Sequence, residues 1–121
     1  MHTMDHAKTS VALWGGKPED YIAIHDWLDE PKSTFCDYRH RALRHHSFGI
    51  YEAEKKFGHD IINSDGKSVH VRYICEQHIK EDCGGIVPTV QDWLKGIPKE
   101  QWMAFGYRIR KAKQQESKNG V

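Results

Sequence analysis

Apolar positions recur at helical spacing along most of this chain. Tyr21, Ile24, His25 and Leu28 fall at i, i+3, i+4 and i+7, which places them on one face of a helix over about 18–28. Pro18 suits the first position of that helix, and Glu19 and Asp20 suit its first turn, where the helix dipole favours acids. A helix over about 4–14 precedes it and stops at Gly15-Gly16. Asp29, just before Pro31, reads as the N-cap of a short turn. The strongest pattern runs from Asp37 to Phe57. Leu43, His46, Ile50, Ala53 and Phe57 are spaced by three or four, and Gly58 closes the helix. Gly49 lies inside it, at a cost of about 1 kcal/mol against Ala. It marks either a close approach or a tolerated weakness.

The period then changes. Ser64-Asp65-Gly66-Lys67 is a turn signature between Ile61-Ile62-Asn63 and a stretch in which Val69, Val71 and Tyr73 alternate with polar residues. This predicts a β-hairpin that must pack on the helices, because an isolated hairpin is marginal in water. Cys75 to Cys83 returns to helical character and ends at Gly84-Gly85. Thr89, with Asp92 three residues on, opens a short helix that Pro98 ends, and 99–105 forms a final turn. The expected fold is mainly α: a compact single-domain helical bundle over 1–105 with one β-hairpin at about residues 60–74. Residues 106–121, which lack apolar periodicity, are expected to form a basic, flexible C-terminal tail.

Composition narrows the classes. The chain has 121 residues and a formal net charge of +1. That is one domain, and not a strongly basic nucleic-acid binder. Residues 98–121 hold six Lys/Arg against two Asp/Glu, so the basic excess is local. No apolar run approaches the roughly 18 residues of a membrane span. The start, Met1-His2-Thr3-Met4-Asp5-His6, has no apolar stretch of the kind a secretory signal needs. Cys36, Cys75 and Cys83 are odd in number and form no C-x-x-C pair, which fits reduced thiols. A cytoplasmic location follows as an expectation.

Histidine changes the picture. Nine are present, at 2, 6, 25, 40, 45, 46, 59, 70 and 78. Imidazole is the commonest protein metal ligand. His25 and His46 sit on apolar faces, with His40 and His45 beside the latter in Arg39-His40-Arg41-Ala42-Leu43-Arg44-His45-His46. On one continuous helix His40 and His45 are about 140° apart, too far round to hold an ion together. Any metal must therefore draw ligands from several helices. The pool is His25, Asp29, His40, His45, His46 and His78, with Zn, Mn or Fe as the matching ions. Glu81 and Asp82, at i+3 and i+4 from His78, are the candidate catalytic carboxylates that orient ligands or water. Lys32, Arg39, Arg41 and Arg72 are candidate phosphate holders. His2, His59 and His70 are peripheral, and His6 is undecided.

Several blocks together carry a resemblance. They are Trp14-Gly15-Gly16, His25-Asp26-Trp27-Leu28-Asp29 with Lys32, the Arg39–His46 block, Asn63-Ser64-Asp65-Gly66, Glu76-Gln77-His78 with Glu81-Asp82, and Pro88-Thr89 with Asp92-Trp93-Leu94. Over about residues 5–103 the chain resembles a family of small, uncharacterised bacterial and phage proteins. The resemblance implies a single domain and no assigned activity. Over 25–46 it is also similar to HD-domain phosphohydrolases, all-helical enzymes that bind metal through His and Asp. This implies a reaction class only. Two functions are expected. One is a metal-dependent hydrolase of a phosphoester or nucleotide-like substrate. The other is a phage or prophage protein that binds and modulates a host protein, in which His and Arg form a buried polar network. A homodimer fits either; nucleic acid fits only a third reading, an accessory protein using the basic tail, and membrane fits none.

Overall fold

The computed structural model describes residues 1–105. The stretch 106–121, expected to be a tail, lies outside the described residues. Helix α1 (Thr3–Trp14) ends where Gly15 and Gly16 turn the chain at positive φ. A 3-10 turn at Pro18–Asp20 leads into α2 (Ile22–Asp29). Two further 3-10 turns, Glu30–Ser33 and Tyr38–His40, precede α3 (Arg41–Arg44) and α4 (Ser47–Phe57). Strands β1 (Asp60–Ile62) and β2 (Ser68–His70) pair antiparallel, with Ile61 opposite Val69. Helix α5 (Val71–Asp82) follows, then α6 (Val90–Leu94) and a 3-10 turn at Gln101–Ala104. The expected mainly α architecture with one hairpin is the one observed.

Helix α5 is the central element and packs against α4, α2 and α1. Val71, Ile74, Cys75 and Ile79 give it an apolar stripe, which meets Ala7, Tyr21, Ile24, Leu28, Ile50 and Ala53. The hairpin is docked through Asn63. Its side-chain amide donates to Trp14 O and Tyr21 Oη, both at 3.1 Å, while Oδ1 accepts from Asp65 N and Lys67 N. One buried amide therefore closes the hairpin turn and ties it to the α1–α2 junction. The Thr89 cap is also present: Thr89 Oγ1 accepts from Asp92 N, and Asp92 Oδ2 accepts from Thr89 N.

Three expectations need correction. The hairpin does not reach Ile74, because helix α5 begins at Val71 and leaves Tyr73 half exposed. Val71, Ile74, Cys75, His78 and Ile79 already follow helical spacing, and that longer pattern outweighs the brief alternation. Asp29 does not cap the turn after it; its side chain points inward.

The third concerns the Asp37–Phe57 segment, which is not one helix. It breaks at His45-His46. His46 is extended (φ −162°, ψ 171°) and caps α4, its Nδ1 accepting from Gly49 N at 3.0 Å. The break is pinned from outside. Trp93 Nε1 donates to His45 O at 3.0 Å, and Ser47 N donates to Pro88 O at 3.0 Å. Arg44 anchors α3 by donating to Trp27 O at 2.6 Å with its guanidinium over the Trp27 ring. A Cβ at Gly49 would lie 2.0 Å from Arg44 O, so the break demands glycine there. We predict that Gly49→Ala lowers stability by at least about 2 kcal/mol in urea denaturation. At Gly96 the added carbon would meet only Trp93 O at 3.7 Å, so Gly96→Ala should stay within about 1 kcal/mol of wild type.

Candidate metal centre

The broken helix redirects two histidines. His40 closes the 3-10 turn before α3, and His45 ends α3 with ψ of 64°. Their rings now stand edge to face, 5.4 Å apart, and both Nε2 atoms lie 3.5 Å from Asp29 Oδ1. The 140° separation does not survive the break. From α5, His78 Nε2 lies 3.1 Å from Asp29 Oδ1 and 3.2 Å from Asp82 Oδ2. His45 Nε2 lies 2.9 Å from the same Asp82 oxygen. From α1, His6 Nε2 lies 3.3 Å from Asp82 Oδ1. Four imidazole Nε2 atoms thus converge on two carboxylates, and all six residues are buried or nearly so.

These spacings suit a coordination shell as well as hydrogen bonds. Ligands about 2.0–2.1 Å from one ion are roughly 3.3 Å apart at neighbouring tetrahedral corners. The observed Nε2–carboxylate distances run from 2.9 to 3.5 Å. Two overlapping groups, His6/Asp29/His78/Asp82 and Asp29/His40/His45, each offer one ligand atom per residue within 4.8 Å of all the others. These buried groups could hold a metal ion.

The surrounding hydrogen bonds fix which nitrogen of each ring carries the proton. Gln77 Nε2 faces two acceptors, His6 O and Glu81 Oε1, so it donates to both. Its Oε1 then accepts from Ser10 Oγ at 2.5 Å. Having given its proton away, Ser10 Oγ accepts from His25 Nε2 at 2.8 Å. His25 Nδ1 is left with a lone pair, to which His78 Nδ1 donates at 2.9 Å. In the same way His6 Nδ1 donates to Glu81 Oε1 at 3.1 Å, and His40 Nδ1 donates to Asp37 O at 2.6 Å. All three rings therefore direct Nε2 at the carboxylates; it is unpartnered on His6 and His40, while on His78 it is hydrogen-bonded to Asp29 Oδ1. Outer groups that hold ligand rings in this way are the usual companions of metal-binding histidines. His6 Nε2 and His40 Nε2 have no hydrogen-bond partner among the described residues, and neither does His45 Nδ1.

Electrostatics follows the same division. Burial would raise Asp82, but His45, His6 and His78 beside it hold its carboxyl far below the usual range. Burial would also raise Asp29, but the bond from His78, with Lys32 and His45 nearby, brings it down to about 2. Burial pushes His45 down, and Asp82 only partly offsets it. His78 ends raised, because its bonds to Asp29 and Asp82 overcome burial. His25, buried with His78 and His6 beside it, is pushed down to about 3.

The structure thus brings Asp29, His40, His45, His78 and Asp82 together and adds His6. Ser10 and Gln77 were not foreseen. Glu81 stands behind His6 and accepts from His6 Nδ1 and Gln77 Nε2. His25 stands behind His78, so the His25-Asp26 pair that resembles HD-domain enzymes does not itself face the carboxylates. His46 is spent on the backbone: its Nε2 lies 3.0 Å from Leu43 O and its Nδ1 caps α4. Among the cations, Lys32 Nζ lies 3.4 Å from Asp29 Oδ2. Arg39 pairs with Asp37 at the surface. Arg72 pairs with Glu76 near the opposite end of α5. Arg41 Nε is buried without a partner. His59 and His70 are exposed beside Asp60, apart from the centre. A cleft of about 570 Å³ opens over Asp29, and Lys32, Lys56, Asp26, Glu30 and Trp27 line it.

The class defined by this fold and centre is a small helical domain with a buried His/Asp cluster. Residues 1–103 match the family described as a Domain of unknown function (DUF6915), and the chain belongs to that family. No curated protein and no solved structure matches it. No helix among the described residues is long and apolar enough to cross a membrane.

The proton assignment has a direct check. His25 should remain neutral at pH 5, protonated at Nε2 only, in ¹⁵N imidazole spectra of the metal-free protein. Free histidine is already charged there. The unfolded chain gains this proton below about pH 6.5 and the folded chain does not. His25 therefore subtracts stability as pH falls from 6.5 towards 3. A doubly protonated His25 at pH 5 would contradict the network.

Proposed function

We propose that this protein is a metal-dependent hydrolase acting on a phosphoester. The observation that carries the reading is the convergence of four Nε2 atoms on Asp29 and Asp82, with three of the rings held from behind. A proton on His78 is favoured by its bonds to Asp29 and Asp82, but burial resists a second imidazolium at His45, so protons offset the two carboxylates only in part. A divalent ion would supply both charges and take the unpartnered lone pair of His6 or of His40, which lie in different ligand groups. Mixed imidazole and carboxylate donors favour Zn, Mn or Fe. Such an ion contributes Lewis acidity and a water that deprotonates near neutral pH. Lys32 and Lys56, which share the lining of the cleft over Asp29 with Asp26 and Glu30, are the cations that cleft offers a phosphate. Lys32 thus remains a phosphate holder in this reading, while Arg39 and Arg72 stand away from the centre.

Elemental analysis of protein purified without a histidine tag tests the metal, and a panel of phosphate mono- and diesters tests the chemistry. The protein should carry metal and release phosphate or alcohol, and chelation should abolish turnover. His78→Ala should lower the metal content, and Lys32→Ala should raise KM more than it lowers kcat. Less than about 0.2 ion per chain, with no thermal shift on adding Zn, Mn or Fe, would sink the metal assignment. Metal without turnover of any ester would reject the hydrolase and leave a metal-stabilised binding protein.

A further inference from the structure

We propose that the centre holds two ions that share Asp29 as a ligand. This rests on the metal reading above and sharpens it. Two ligands of one ion can be no more than about 4.2 Å apart when each bond is about 2.1 Å. The six residues form one group of four and one of three, and Asp29 alone belongs to both. Asp29 Oδ1 is placed to be shared, with Nε2 of His40, His45 and His78 at 3.5, 3.5 and 3.1 Å. Asp82 is divided as well: Oδ1 faces His6, while Oδ2 faces His45 and His78.

Ligand number points the same way. A single tetrahedral ion takes four donors and leaves two of the six idle. A single six-coordinate ion would be saturated, with no place for water or substrate. Divided between two ions, the same residues supply four donors to one and three to the other, which leaves both shells incomplete for six-coordinate Mn or Fe, as hydrolytic centres require. Charge then bears on the substrate. Two divalent ions against Asp29 and Asp82 leave a surplus of two positive charges. A phosphomonoester dianion entering by the cleft over Asp29 would cancel that surplus, so we assign monoesters as the preferred class.

The test is stoichiometry and spin coupling in Mn(II)-loaded protein. His59, Asp60 and His70 form a separate exposed group that could take an ion, so the measurements use a His70→Ala background. Two ions per chain are expected, with a low-temperature EPR spectrum of an exchange-coupled pair. His6→Ala and His40→Ala should each keep one ion, read by the uncoupled signal. Asp29→Asn should lose the coupling. One ion per chain, or two without coupling, overturns the shared centre and leaves the metal reading standing. No bound ion overturns both. Should a variant fail to fold by circular dichroism, the count and spectrum of the His70→Ala protein still decide. A preference for diesters over monoesters would overturn the substrate class alone.

Discussion

Two carboxylates inside a small helical bundle are the constraint on which the rest depends. Asp29 ends α2 and Asp82 ends α5. Each is removed from water, and an uncompensated buried charge costs several kcal/mol. The fold answers by aiming imidazoles from α1, α5 and the α3 region at the pair. Any element that shifts therefore leaves a buried charge exposed to its own desolvation cost. Helix positions here are tied as much to polar geometry as to apolar packing. Among the described residues, ten buried polar or charged side chains stand beside eleven buried apolar ones, an almost even division.

The break in the Asp37–Phe57 segment is a consequence. A continuous helix would satisfy the spacing of Leu43, His46, Ile50, Ala53 and Phe57, yet it would point His40 and His45 apart. Breaking it leaves Leu43 half exposed. In exchange, His40 and His45 both reach Asp29. Partners distant in sequence hold the break, with Trp93 and Pro88 on one side and Trp27 on the other. Local periodicity carries no trace of these contacts, so the break was not legible from the chain alone. Gly49 was the one local sign, because only glycine lets α4 start that close to Arg44 O.

Elsewhere the sequence was more informative. The face of Tyr21, Ile24, His25 and Leu28 is buried as its spacing required, and the paired glycines end α1 where expected. Five of the ligand and carboxylate positions, Asp29, His40, His45, His78 and Asp82, were named from residue type and i, i+4 spacing. His6 escaped because the pattern of α1 is weak. The available clue was that His6 and Ser10 sit one position before Ala7 and Val11, on the edge of the face those apolar residues share with Trp14. His25 and His46 show the converse limit. Spacing put both on inward faces, but it could not show that hydrogen-bond partners already occupy both nitrogens of each ring.

That distinction separates the histidines that can bind an ion from those that position others. Gln77 sets the direction of a chain of donors that ends at His78 Nε2, because its amide meets two acceptors on one side and one hydroxyl on the other. Reversing the amide would place its oxygen against His6 O and Glu81, two groups that can only accept. The polarity therefore has one solution, and it turns Nε2 of the ring nearest both carboxylates toward them. An apolar core of this size supplies little stability beyond the entropy it must overcome. An ion filling the gap between those groups would bind only the folded chain, and its binding energy would add to folding. The same network that readies a centre for chemistry would then also be what holds α1, α2, α3 and α5 in register.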